Sequence, residues 1–376
     1  MEYNTCKLTR RDPFMDIIND RRALHQIPEL ELTLPKTAAY LKNVLERLHC
    51  QLTYPLGDAI CAFFDFGKDH AIAFRADMDA LPVPEETGLP FASKHPGAMH
   101  ACGHDGHMAT LLELARRLDK KENLPHNVLL IFQPGEESPG GAKPLCDTGI
   151  LAKYNVKAVF GLHLWPGIEK GVMHTRCGGL MSRGSELNVD VYGKSAHIGN
   201  AVAGIDATAA AVEFYRQARA AEAALPDDVF RLLNFGKFES GTVRNAISAH
   251  AHLEGSLRAF DNETFEGLRG KLFEIKADVE AKFGCRVEIW MSGGYPAVIN
   301  DPEMVAQVQR IAPVKLLEKP SMTSEDFSEY QQLVPGVFFF LGTGDTPVLH
   351  ATTFNFDEEI LLKGADFFEK LAENFQ

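Results

Sequence analysis

Three short runs, Asn127 to Phe132 (NVLLIF), Val156 to Leu162 (VKAVFGL) and Val337 to Leu341 (VFFFL), are apolar along nearly their whole length. Strands with one wet face alternate, so unbroken runs of this kind predict strands covered on both faces. Such a sheet needs helices to cover it, and the chain supplies the pattern. Met108, Leu111, Leu112, Ala115 and Leu118 recur at helical spacing after Asp105, and Asp357 to Glu373 reads as a C-terminal helix. Helices alternating with buried strands predict a layered α/β domain with a mostly parallel sheet. Ala59 to Phe66 and Ala71 to Arg75 flank Gly67-Lys68-Asp69, which reads as a hairpin.

The middle of the chain has another rhythm. Ser185 to Tyr192 alternates as a strand, Ile205 to Ala221 is helical, and strand patterns follow near Val229 to Phe238 and His250 to Phe260. A helix over Asn262 to Phe283 and a strand over Arg286 to Met291 complete the order β-α-β-β-α-β, the ferredoxin-like arrangement. At 376 residues the chain exceeds one usual core. We therefore expect one domain from 1–180 and 292–376, with 181–291 inserted into it as a second.

Charge narrows the function. A net charge of −13 disfavours a nucleic-acid surface, which must neutralise phosphates, and equally an anionic membrane surface. No apolar run reaches the roughly 20 residues that span a bilayer. Met1 to Lys7 carries charges and no apolar stretch of the secretory kind. The seven cysteines are scattered without a Cys-x-x-Cys pair, which suits a reducing cytoplasm and, for most, small buried apolar sites.

Cys102 is the exception. It stands two residues before His104 in MHACGHDGH (Met99 to His107), and Glu136-Glu137 follow about thirty residues later, after a buried strand and the turn Gln133-Pro134-Gly135. Thiolate, imidazole and carboxylate are a ligand set for a first-row divalent ion such as Mn, Zn, Co or Ni. Two adjacent glutamates divide the work naturally, one ligating and the other accepting the proton of the attacking water. Asp77 and Asp79, His163 and His350 also fall at or shortly after predicted strand ends, the edge where open α/β sheets bind ligands. His100 and His107 are expected beside the site or at the surface, and His25 in a structural role. A cysteine-nucleophile reading is weaker, because an i, i+2 pair in one loop seldom supplies nucleophile and base. A non-catalytic binding module needs no spare base.

These motifs, together with Phe74 to Pro82 (FRADMDALP), QPGEE (Gln133 to Glu137) and Gly161-Leu162-His163, resemble the metal-dependent aminoacylase and carboxypeptidase family. The closer likeness is to its amidohydrolase branch of hippurate hydrolase, indoleacetyl-amino-acid hydrolases and N-acetyldiaminopimelate deacetylase. The resemblance covers nearly the whole chain. It implies Cys102, His104, Glu137, His163 and His350 as ligands of one or two ions, and Glu136 as the general base. It implies that 1–180 and 292–376 form the metal-binding catalytic domain and 181–291 a lid and dimerisation domain, whose His197 polarises the amide oxygen at the site of a partner subunit in a homodimer. Asn245 and Arg258 match positions facing substrate, and Arg258 would hold a carboxylate. The substrate implied is a small N-acyl amino acid. Val83 to Ser93 and Glu136 to Ala142 are most similar to the deacetylases, whereas Gly135, Ser138 and the segment His197-Ile198-Gly199-Asn200 depart from that pattern. A general aminoacylase or dipeptidase is the alternative.

Overall fold

The computed structural model describes residues 13–376; Cys6 and the segment Met1 to Lys7 lie outside the described residues. The chain divides into two compact units, one of Met1–Gly178, Asn300–Glu318 and Glu329–Gln376, the other of Gly179–Ile299 and Lys319–Ser328.

The first unit is built on an eight-stranded sheet. Its strands are β1 (Gln51–Thr53), β2 (Ile60–Phe64), β3 (Ala71–Asp77), β4 (Asn127–Gln133), β5 (Val156–Pro166), β6 (Met173–Thr175), β13 (Lys315–Leu316) and β14 (Gly336–Gly344). The order is β1-β2-β4-β3-β5-β14-β6-β13, and the central strands β4, β3, β5 and β14 are mutually parallel. Every residue of β3 and β4 is buried, as their apolar composition requires. The helices are α1 (Pro13–His25), α2 (Pro35–Leu45), α3 (His104–Leu118), the short α4 (Ala142–Asp147) and α5 (Ile150–Lys153), α8 (Pro302–Ile311), α9 (Ser328–Gln331) and α10 (Ile360–Asn374). Helix α3 packs against α1, α10 and β3, and its Met108, Leu111, Leu112 and Leu118 join the same apolar core as Phe74, Phe160, Phe339 and Phe368.

The expected hairpin does not form. β2 and β3 both pair with β4, which lies between them, antiparallel to β2 and parallel to β3. The Gly67 turn therefore carries the chain across a strand position. Asn127, the first residue of β4, holds it there: its Oδ1 accepts from Phe66 and Lys68 N–H at 2.8 and 3.2 Å, and its Nδ2 donates to the Lys68 carbonyl at 2.7 Å. A strand buried on both faces gains more from neighbours at both edges than from a tight turn, and β4 supplies that neighbour to each.

The second unit has β8 (Arg183–Tyr192), α6 (Ala207–Ala223), β9 (Arg231–Ser240), β10 (His250–Ala259), α7 (Asn262–Phe283) and β11 (Arg286–Met291). The sheet order β11-β8-β10-β9, all antiparallel, is the ferredoxin-like one. Aspartates start both helices. Asp206 accepts from Thr208 and Ala209 N–H, and Asp261 from Thr264 N–H, which satisfies donors a helix start leaves open. Leu187, Val189, Val191, Leu253 and Val287 face α6 and α7 in a second core. β7 (Gly178–Met181) and β12 (Val298–Asn300) pair as a separate two-stranded sheet. No helix among the described residues is long and apolar enough to cross a membrane.

Candidate metal centre

Four segments of the first unit bring their polar residues together at the carboxyl edge of the central strands. Cys102 and His104 come from the loop entering α3, Glu136 and Glu137 from the turn after β4, His163 from β5, and His350 from the loop after β14. His163 lies within β5 rather than at its end, because that strand continues to Pro166. Glycine makes the α3 entry possible. Gly103 has φ +90°, and a Cβ there would meet Leu164 Cδ1 at 3.0 Å. His350 itself adopts φ +66°, and its N–H donates to the Ala101 carbonyl at 2.8 Å, so its loop is tied to the cysteine loop.

Cys102 Sγ is the meeting point. His163 Nε2 and His350 Nε2 each lie 3.3 Å from it. The ligand atoms form one triplet of Cys102, His104 and His163 and a second of Cys102, Glu137 and His350, each within 4.8 Å, with the thiol common to both. A third triplet joins His104 to Glu136 and Glu137.

Hydrogen bonds fix which nitrogen each imidazole presents. His104 Nδ1–H donates to the Asp79 carbonyl at 2.8 Å, and His163 Nδ1–H to the Leu164 carbonyl at 2.7 Å. Each Nε2 is thereby turned toward the cluster, as ligating histidines are commonly held. His104 Nε2 is buried with no hydrogen-bond partner among the described residues, and it lies 3.9 Å from Glu137 Oε1, which is itself 3.2 Å from His350 Nε2. An unpaired nitrogen in a dry site is costly. Donor set and orphaned nitrogen together fit a divalent cation.

The surrounding charges are set by buried contacts. Asp77 accepts from Arg75 Nη1 at 2.8 Å and from His107 Nδ1–H at 2.6 Å. Burial alone would raise its pKa, but His104, His107 and Arg75 hold it well below the usual range. Burial opposes charge on His104 as well, and the carboxylates of Asp77 and Asp79 override it, pushing the imidazole up to about 10. Burial and the neighbouring Glu137 and Glu136 push the Cys102 thiol well above its ordinary value. A bound cation is what would hold this sulfur as thiolate.

Asp79 and Asp105 carry structure that their sequence motif did not announce. The Glu136 and Glu137 N–H groups donate to Asp79 Oδ1 and Oδ2 at 2.9 and 3.0 Å, so one carboxylate aims the whole glutamate turn. Asp105 Oδ2 accepts from Arg21 Nε at 3.0 Å and His25 Nδ1–H at 2.8 Å, which ties α1 to the start of α3. His25 is thus structural, as expected. His107 supports Asp77 and accepts from Leu164 N–H, and His100 is buried with neither ring nitrogen hydrogen-bonded. Among the described cysteines, Cys61, Cys102 and Cys146 are buried, Cys50 and Cys285 half-buried, and Cys177 exposed, so the buried expectation holds for part of the set.

The other residues singled out in the sequence belong to the second unit. His197 is exposed at the start of the 3-10 turn Ile198–Ala203, its Nδ1 accepting from Gly199 N–H at 3.1 Å. The Ile198 N–H donates to the carbonyl of exposed Asn245 at 3.0 Å, so these two segments sit together. Arg258 is half-buried, with Nη1 donating to the Met322 carbonyl at 2.6 Å.

A parallel α/β sheet whose edge gathers cysteine, histidine and paired glutamates, with a ferredoxin-like insertion, defines a metal-dependent hydrolase. The chain belongs to peptidase family M20/M25/M40, whose sequence profile matches residues 73–374. It is 35% identical over 371 residues to an uncharacterized hydrolase of Staphylococcus epidermidis, covering 95% of this chain and 97% of that one. A candidate aminohydrolase from methicillin-resistant Staphylococcus aureus has a crystal structure similar at TM-score 0.88 and 30% identity, over 95% of each chain. The YXEP protein of Bacillus subtilis, described as a dinuclear metal-binding peptidase of family M20, matches at TM-score 0.84 and 30% identity, over 96% of this chain and 97% of that one.

Proposed function

We propose that the protein hydrolyses the amide bond of small N-acyl amino acids. Glu136 carries this reading: a buried carboxylate beside a full ligand set, on a turn anchored by Asp79, is a base that a mere binding site would not need. Cys102, His104, Glu137, His163 and His350 are assigned to one or two divalent ions, Mn, Zn, Co or Ni, with Cys102 shared. A cation held there would polarise the scissile carbonyl and acidify water. Glu136 takes the proton of the attacking water and returns it to the departing amine. His197 and Asn245 are assigned to the amide, His197 as a donor to its oxygen, and Arg258 to a carboxylate. A homodimer joined through the second unit agrees with its exposed Val212, Tyr215 and Phe238, on α6 and the edge strand β9. Free cysteines support a reducing, cytoplasmic setting.

Within this class, deacetylation of N-acetyldiaminopimelate is the narrower reading, from the likeness of Val83 to Ser93. Dipeptide cleavage is the alternative, favoured by the description of the B. subtilis neighbour as a peptidase. The deciding experiment is amine release from N-acetyldiaminopimelate, hippurate, other acyl amino acids and dipeptides, by chelated and then Mn- or Zn-reloaded protein. Turnover restored by metal on an acylated amino acid supports the proposal. Turnover confined to dipeptides transfers the site to the peptidase reading, and activity that survives chelation overturns the metal assignment.

A further inference from the structure

The sheet of the second unit has one face packed on α6 and α7, and its other face carries polar side chains. Along β10 that face presents His250, His252 and Glu254 at successive i, i+2 positions. In register, His252 stands directly between Asp190 on β8 and Glu239 on β9. Directly opposed residues have Cβ atoms about 5 Å apart.

The side chains converge on one oxygen. His250 Nε2 lies 2.9 Å and His252 Nδ1 2.8 Å from Asp190 Oδ1. The other nitrogen of His252, Nε2, lies 3.1 Å from Glu254 Oε1. A neutral imidazole carries one N–H, so it can donate to only one of these two carboxylates. Its remaining nitrogen then meets an anionic oxygen lone pair to lone pair. Either a second proton or a cation must stand in that gap. Donation from Nε2–H to Glu254 leaves Nδ1 as a ligand, the carboxylate–histidine support that metal sites use to fix an imidazole.

We propose that His250 Nε2, His252 Nδ1 and Asp190 form a second divalent transition-metal site, separate from the catalytic cluster, with Glu254 orienting His252. Two histidines two apart on a strand and a carboxylate across the ladder supply borderline-soft ligands suited to Zn, Ni or Cu rather than Mg or Ca. The two ring nitrogens flank the oxygen from opposite sides and do not come within 4.8 Å of one another, so binding requires rotation of His250, whose side chain is 48% exposed. Lys237 Nζ lies 2.8 Å from Glu254 Oε1 and 3.3 Å from Glu239 Oε2, so its charge is taken up by those two carboxylates. A cavity of about 480 Å³, lined by His250, His252 and Glu239 with the hydroxyl residues Ser195, Ser240 and Thr242, adjoins the histidines and leaves room for a further ligand on the ion.

The test uses full-length protein, equilibrated by dialysis against buffered Zn²⁺ and assayed for zinc per chain. Wild type should retain one more ion than the His250→Gln/His252→Gln protein, whose melting temperature and turnover should match wild type. Trp290 gives an independent readout. It lies on the same sheet face, paired with Asn188 two residues from Asp190, and is 54% exposed. In a Trp165→Phe background, Cu²⁺ should quench Trp290 fluorescence saturably, with apparent affinity at least tenfold weaker in the double variant. Equal zinc content with unchanged quenching in the double variant overturns the site. So does a Glu254→Gln protein that binds Cu²⁺ more tightly than wild type, because loss of the orienting carboxylate should weaken it.

Discussion

At the scale of single residues, the two glutamates after β4 should separate cleanly. Glu136→Gln should lower kcat by about 10²–10⁴-fold, the usual contribution of a positioned base, while ion content stays at the wild-type level. Glu137→Gln should lose bound ion as well as turnover, since Glu137 shares a triplet with Cys102 and His350. Metal analysis beside steady-state kinetics checks both. Cys102, His104 and the glutamates were legible in the sequence because ligand chemistry shows as short spacing. Asp79 was placed at the strand edge but its role was not legible, because it acts on backbone N–H groups 57 and 58 residues away. Its removal makes the stronger test of the loop. Asp79→Ala leaves both N–H groups without that acceptor, at a cost of about 1–3 kcal/mol each where they remain buried. The expected result in urea unfolding is a lower midpoint, accompanied by reduced ion binding, although Asp79 is not among the proposed ligands.

Among elements, the attachment of α1 to α3 positions the cysteine loop. Arg21 and Asp105 are each about 1% exposed, and Asp105→Asn should cost about 3–5 kcal/mol, the range for breaking a buried pair from one side. Its pH dependence has a definite sign. Burial works against charge on His25, but Asp105 raises it from the ordinary 6.5 to about 9. That contribution is complete below pH 6.5 and is lost as pH rises through 9. Burial likewise opposes charge on Glu85 and Asp105. Hydrogen bonds from His25 and Thr87 bring Glu85 to about 2, while Arg21 and His25 hold Asp105 well below its ordinary value. Those contributions are complete above the ordinary carboxylate values of 3.8 and 4.5 and fade as pH falls. Wild type minus His25→Gln stability should therefore be largest between about pH 4.5 and 6.5, measured by melts across pH. A flat difference would remove the network from the account of α3. Arg21 and His25 lie 84 and 80 residues from Asp105, which is why apolar periodicity located α3 but not what fastens it. The same limit produced the hairpin expectation at Gly67. A turn signal reports local geometry, whereas strand order depends on β4, some 60 residues further on.

For the whole molecule, periodicity was enough to read two architectures in one chain, because buried parallel strands and an alternating β-α-β-β-α-β insert differ in pattern. The return segment Lys319–Ser328 left no such pattern. It joins the second unit through single contacts such as Ser182 N–H to the Thr323 carbonyl and Arg258 to the Met322 carbonyl. The proposed ions act at this scale too. Their ligands come from the α3 entry, the β4 turn, β5 and the β14 loop, so a bound cation adds a link among segments far apart in the chain. Binding to the folded state alone adds about 2.7 kcal/mol at a free ion concentration one hundred times Kd. Chelation should accordingly lower the melting temperature, and Mn²⁺ or Zn²⁺ should restore it in a concentration-dependent way. Calorimetry of the His163→Ala protein supplies the control, since loss of one Cys102 partner should flatten that dependence. A wild-type melting temperature indifferent to chelator and metal would mean the cluster binds no ion in the folded protein, and the hydrolytic mechanism would fall with it.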